Sequence, residues 1–301
     1  MKRGIFLLVL ATILWGGNYI CGRFLSQELP PTLLNTIRWG LSTVLLWGLL
    51  AINKKSFPLL SKAKEFFILG FFGVFAFSTL NYVGLRYLHA SVAGMISAGI
   101  PIFILLLSPL FLKEKISVKA WIGTVISIAG VILLIQGKQA DASEGSLLGE
   151  IAILLSCLAW GLYTVLGKRY AKDTDPLTLT AGAAFYGTIL SGISCIGTVD
   201  ASMIHLSTTG LLCILYVSTC ASVGAYLAWN AGVKIVGAGK AAPYINLLPV
   251  WTVVFGVPLF DEQLSFVTSI GGVITITGAV LASYKGEEKK KMEQLHSAGG
   301  R

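Results

Sequence analysis

The chain has 301 residues, 55% of them hydrophobic and only 12% charged, with a mean hydropathy of +0.78, which excludes a water-soluble domain of ordinary composition. The net charge of +9 is weak evidence for nucleic acid, because the basic residues are distributed as a membrane protein distributes them. With three histidines, and five cysteines that form no CxxC pair, neither a structural metal site nor a disulfide framework is expected, and no cofactor is predicted.

Apolar runs long enough to cross a hydrocarbon core of about 30 Å begin near Gly4, Thr32, Phe66, His89, Val118, Leu147, Leu177, Leu211, Gly237 and Ser265, which predicts ten transmembrane helices. Lys2 and Arg3 ahead of the first run look like the start of a signal peptide. No small-residue cleavage site follows, and the run is copied near Gly149, so a retained helix is expected. Within it Trp15, Asn18, Tyr19 and Gly22 recur at helical spacing and share one face. The second run opens on Pro30-Pro31 and holds a charge inside a predicted span, Arg38, about 10 Å from its outer end at a rise of 1.5 Å per residue. Arg38 either binds a substrate anion or has a structural task, capping freed carbonyls or snorkelling along its own stem.

Asn81 and Tyr82 follow in the third run, and Pro101 interrupts the fourth, where a ring without an amide donor frees a carbonyl. Gly123 and Gly130 in the fifth suit close helix approach. The sixth run repeats the first stripe as Trp160, Tyr163, Thr164 and Gly167, and the two stripes are expected to face each other. Tyr226, Trp229 and Asn230 lie in the eighth run, and Tyr244, Asn246 and Pro249 in the ninth. Aromatic faces with amides suit a small amphiphilic solute. Packing alone is the competing explanation for the aromatic stripes and for the kinks at Pro101 and Pro249.

The second half copies the first at an offset of 148 residues over 84 to 133 and 232 to 281, with identities that include Gly84/Gly232, Pro101/Pro249, Glu114/Glu262, Ser117/Ser265, Gly123/Gly271 and Gly130/Gly278. A unit of five spans, repeated, must invert across the bilayer. The expected architecture is therefore an all-α integral membrane protein of two inverted five-helix repeats, 1–138 and 147–285, with a polar linker at 139–146 and a polar tail at 286–301. Placing both termini in the cytoplasm puts 19 Lys and Arg inside and three outside, Arg23, Arg86 and Lys138, as the positive-inside rule demands.

Covalent chemistry is poorly served. His89 and His205 fall at helix edges or in loops and His296 in the tail, so no Ser/His pair and no His-rich metal cluster can form at depth, and an enzyme is not expected. All 14 acidic residues lie in loops, tails or first helical turns. An exporter of organic cations that relies on a midplane carboxylate is thereby disfavoured.

Taken as a set, Leu14-Trp15-Gly16, Pro30-Pro31 followed by Arg38-Trp39, and Pro101 leading to Glu114, Gly123 and Gly130 resemble the EamA-type branch of the drug/metabolite transporter superfamily. They recur as Ala159-Trp160-Gly161 and as Pro249 leading to Glu262, Gly271 and Gly278. The resemblance covers residues 4 to 285 and implies a ten-helix carrier of the bacterial cytoplasmic membrane. Its central cavity would be bordered by helices 1, 3, 4, 6, 8 and 9, and its cargo would be amino acids, their derivatives or other small metabolites. The seventh run departs from the pattern, since Ala181 to Tyr186 holds no counterpart of Arg38. The expected contacts of a small-molecule substrate are Trp15, Asn18, Tyr19, Arg38, Tyr82, Trp160, Tyr163, Trp229, Asn230, Tyr244 and Asn246, with Pro101 and Pro249 as kinks. Efflux of drugs or dyes is the first rival reading, and a non-transporting membrane scaffold or sensor the second.

Overall fold

The structure, a computed structural model, describes residues 1–87, 96–136, 147–200, 204–260 and 266–283, and these are helical with connecting turns and no strand. The linker and the tail expected at 139–146 and 286–301, His89, and Glu262 lie outside the described residues. Helix α1 is Lys2–Glu28, α2 Pro31–Ile52, and α3 runs from Ala63–Leu69 through a π-helical stretch, Gly70–Ala76, into Phe77–Tyr87. Helix α4 is Ile100–Leu112, α5 Val118–Gln136, α6 Leu147–Tyr170 and α7 Pro176–Cys195. Helix α8 joins Thr208–Tyr216, a second π stretch, Val217–Gly224, and Ala225–Val236. Helix α9 comprises Ala238–Ala241, a 3-10 stretch, Ala242–Asn246, and Leu247–Phe260, and α10 is Phe266–Ser283.

Local chemistry accounts for the boundaries. Leu29 turns extended ahead of Pro30, and Pro31 starts α2, where a missing amide hydrogen costs nothing. Asp175 caps α7, accepting from the N–H groups of Leu177 at 3.1 Å and Thr178 at 3.3 Å, and Ser207 caps α8 from Gly210 N at 3.0 Å. Gly237, at φ +93, ends α8 and redirects the chain into α9.

Helices α1, α2, α3, α6, α7 and α8 are each long and apolar enough to cross a membrane, and α4, α5 and α10 contain shorter apolar helices. Exposed side chains such as Val44, Leu110, Val125, Ile193, Leu212 and Val273 give the outer faces the apolar character that lipid requires. The interior is built on large rings, with Trp39, Trp160, Trp229, Tyr163, Tyr226 and Phe66 fully buried.

Helix α1 packs on α8 and α9, α6 packs on α3 and α4, α2 pairs with α7, and α5 with α10. In the α5–α10 seam Ser127 Oγ donates to Thr275 O at 3.2 Å. A methyl group on Gly130 would lie 2.4 Å from Thr275 N, and one on Gly278 2.5 Å from Ser127 N. Small residues let these two backbones touch.

Pro101 and Pro249 both sit beside an interruption of their helices. Pro101 lies in the first turn of α4, after a turn at 98–99, and Pro249 follows the 3-10 stretch of α9. The interruption precedes each ring because a first turn has amide hydrogens without helical partners, so the ring sacrifices no bond there.

Candidate functional site

A cavity opens among seven helices. It is bordered by Trp15, Asn18 and Tyr19 of α1, Arg38 of α2, Phe77, Ser78, Asn81 and Tyr82 of α3, and Ile100 at the start of α4 with Ser97 and Ala98 before it. Trp160 of α6, Tyr226 of α8 and Ile245, Asn246, Leu248 and Pro249 of α9 complete the wall. Helix α2 joins the six helices expected to border it, through Arg38 alone.

The floor is aromatic. Trp15 and Trp160 meet edge to face with centroids 5.0 Å apart, and Tyr226 stands edge-on to both, at 5.7 Å from Trp15 and 5.3 Å from Trp160. Each such pair adds about 0.5–1.5 kcal/mol beyond the area it buries. The facing of the Trp15 and Trp160 stripes expected from the sequence is thus direct ring contact.

The two π stretches hold these rings by their polar atoms. Trp15 Nε1 donates to Ala221 O at 2.9 Å, within the π stretch of α8, and Tyr226 OH donates to Gly73 O at 2.8 Å, within that of α3. A π-helical turn disturbs the ordinary i to i−4 ladder, which leaves main-chain oxygens open to side-chain donors. Gly73 is required for this approach, since a methyl group on it would lie 2.1 Å from Tyr163 Cδ2.

Arg38 is 4% exposed. Its Nε donates to Ser222 Oγ at 2.6 Å and its Nη1 to Tyr82 OH at 3.1 Å, and its guanidinium stands 5.4 Å from the centroid of Trp39. Ser222 in turn donates to Val217 O at 2.8 Å. Every one of these partners is uncharged, and no Asp or Glu borders the cavity among the described residues. Asn246 is fully buried and leaves both amide atoms without a hydrogen-bond partner in the protein, as do Asn18 Oδ1 and Trp160 Nε1. Buried polar groups are normally paired, so this wall is suited to a polar ligand.

The remaining predicted contacts lie beyond the aromatic floor, Tyr163, Trp229 and Tyr244 buried and Asn230 half-buried. Asn230 Nδ2 donates to Tyr163 OH at 2.6 Å and Thr180 Oγ1 at 3.0 Å, and Trp229 Nε1 to Thr164 Oγ1 at 3.2 Å. Trp229 also packs on Trp15, with centroids 5.6 Å apart. Tyr244 lies toward Met1, Ile5 and Val236, near the N-terminus. Seven of the eleven residues named from the sequence border the cavity: Trp15, Asn18, Tyr19, Arg38, Tyr82, Trp160 and Asn246. Pro249 borders it and Pro101 does not. Ser78 and Ser97 were not singled out, although Ser78 lies three and four residues before Asn81 and Tyr82 and so shares their helical face.

The EamA-like transporter family pattern matches the chain twice, at residues 2–136 and 147–284. The chain is 28% identical over 291 residues to the uncharacterized transporter YyaM of Bacillus subtilis (strain 168), covering 93% of each chain. It is 27% identical over 281 residues to an uncharacterized transporter of Archaeoglobus fulgidus, covering 93% of this chain and 96% of that one. A solved crystal structure with 18% sequence identity superposes with a TM-score of 0.79, over 94% of this chain and 96% of the other, and shares the fold. The chain belongs to the EamA-like transporter family and is a multi-pass membrane protein.

Proposed function

We propose that this EamA-like transporter is a secondary carrier that exports amino acids or related small metabolites across the bacterial cytoplasmic membrane. Ten membrane-crossing helices, in two inverted five-helix repeats (1–138 and 147–285) with both termini in the cytoplasm, would rock about a midplane site. The observation that carries the reading is the cavity itself, where an aromatic floor, unpaired amides and one buried cation converge from both halves of the chain.

Contacts between the halves support the inversion. The packing of α1 on α8 and α9 corresponds, repeat for repeat, to that of α6 on α3 and α4. Gly232 of α8 lies against Leu8 and Gly4 O of α1, while its sequence counterpart Gly84 of α3 lies against Ile153 and Gly149 O of α6. In this orientation the cavity occupies the outer half of the bundle. Buried Tyr163 and Trp229 with half-buried Asn230 close the inner half, so the conformer faces outward. The sequence stripes then describe a path of which this conformer exposes one end.

Cells overproducing the protein, compared with cells making Trp15→Ala/Trp160→Ala at equal membrane levels, would be profiled for small molecules in medium and cytoplasm. Selective enrichment of one amino acid or derivative in the medium is expected. Accumulation differences confined to hydrophobic dyes would transfer the reading to drug efflux, which the aromatic floor also suits. Identical profiles under varied nutrients would overturn export of metabolites.

A further inference from the structure

We propose that the cavity selects a monoanionic amphiphile, a carboxylate whose body is neutral, and that Arg38 is the residue that selects it; this rests on the cavity being the transport site and narrows its cargo from free amino acids to derivatives without a free ammonium. A guanidinium stays protonated at every accessible pH. Arg38 is buried, borders the cavity, and has only the hydroxyls of Ser222 and Tyr82 and the ring of Trp39 as its named partners. A buried cation without a counter-ion is costly, and among the described residues the wall offers it no carboxylate. A ligand carboxylate supplies the missing charge.

The rest of the wall restricts what that carboxylate is attached to. A free ammonium would enter a site that already holds a cation and no anion, so a zwitterion brings a repulsive charge for every attractive one, and a cation brings repulsion alone. The unpaired atoms of the wall are neutral: Asn18 Oδ1, Ser78 Oγ, Asn81 Nδ2, both amide atoms of Asn246 and Trp160 Nε1. They match a ligand amide, which offers one donor and one acceptor. The edge-on rings of Trp15, Trp160 and Tyr226 accept an apolar group. A carboxylate, an amide and an apolar side chain together describe the chemical class of N-acylated amino acids.

Arg38 also braces α8 through Ser222 and Val217, so the test must separate charge from support. Four probes share one side chain and differ in charge: N-acetylphenylalanine (anion), N-acetylphenylalaninamide (neutral), phenylalanine (zwitterion) and phenylalaninamide (cation). Binding to the full-length protein in lipid nanodiscs would be read from tryptophan fluorescence, since Trp15 and Trp160 border the site. The anion is expected to bind about 30-fold more tightly than the neutral probe and the zwitterion, with the cation weakest. In Arg38→Gln the anion should fall to the affinity of the neutral amide, whose own binding stays within about twofold. Arg38→Lys should restore part of the preference.

Zwitterion or cation binding as tight as that of the anion in the wild-type protein overturns the charge assignment and leaves the transport site standing. Anion preference retained in Arg38→Gln has the same meaning. Failure of all four probes to bind overturns both the assignment and the amphiphile site beneath it.

Discussion

The main-chain oxygens of Gly73 and Ala221, one repeat length apart in the sequence, each accept a hydrogen bond from a ring of the same aromatic floor: Gly73 O from Tyr226 OH and Ala221 O from Trp15 Nε1. Both lie in π-helical stretches, one in α3 and one in α8. The floor is therefore anchored to the backbone of two helices at corresponding points, and the rings and the π stretches form one unit.

Removing one anchor tests that unit. Trp15→Phe keeps a ring over the floor but loses the bond to Ala221 O, and should cost about 1 kcal/mol of stability while slowing transport only partly. Trp15→Ala removes the ring and its contacts with Trp160, Tyr226 and Trp229; it should cost about 3 kcal/mol and abolish transport. Thermal unfolding in detergent and transport in vesicles would both be measured, and wild-type stability and transport in Trp15→Phe would contradict the anchoring role.

Gly73 tolerates no side chain. Gly73→Ala should destabilise the protein by about 1–3 kcal/mol through overpacking against Tyr163, and Tyr163→Leu should relieve part of that cost, giving a non-additive double mutant. Gly48→Ala is the control, because nothing lies within 4 Å of a methyl group there and alanine is the better helix former. Equal destabilisation at positions 48 and 73 would exclude the close approach as the cause.

Asn246 should show stability and function in opposition. Replacing a buried amide that has no partner with an apolar group removes a desolvation penalty of about 1–3 kcal/mol, so Asn246→Leu is expected to raise the melting temperature of the ligand-free protein while abolishing transport. A lowered melting temperature would show that the amide supports the fold rather than the ligand.

The pH dependence of stability has a local source at the start of α7. Burial pushes the Asp175 carboxyl up, but the Lys55 ammonium at 2.6 Å and the hydroxyl and N–H of Thr178 outweigh it and hold its pKa below the usual carboxylate value. Folding therefore favours the ionised form. Its contribution is complete above the unfolded pKa of about 3.9 and is lost as pH falls through the folded one. Both side chains are over a third exposed, so the ion pair contributes about 0.5 kcal/mol. Asp175→Asn, which preserves a cap, should lose that increment at pH 6 and approach wild type as pH falls through the lowered carboxyl pKa; a difference that stays constant on acidification in unfolding experiments would contradict it.

Hydropathy, the repeat and the helical spacing of Trp15, Asn18 and Tyr19 made the helices and one wall of the cavity legible in advance, because each is a periodic property of the sequence. Arg38 was legible for the opposite reason, as a charge inside an apolar run. The π stretches were not, because neither Gly70–Ala76 nor Val217–Gly224 carries a pattern that distinguishes a π turn from an α turn. Tyr163, Trp229 and Asn230 were recognised as polar and aromatic groups along the bundle, but spacing cannot say which end of a path a given conformer leaves open. Pro101 and Pro249 were legible as interruptions, but spacing could not say that each break lies just ahead of its ring.

At the α5–α10 seam, Ser127 meets Thr275 while Gly130 and Gly278 press against the opposite backbone, so equivalent positions of the two copies face one another. A methyl added at either glycine would part the two backbones and with them the hydrogen bond from Ser127 to Thr275, so neither helix of the seam can take a larger side chain without moving the other.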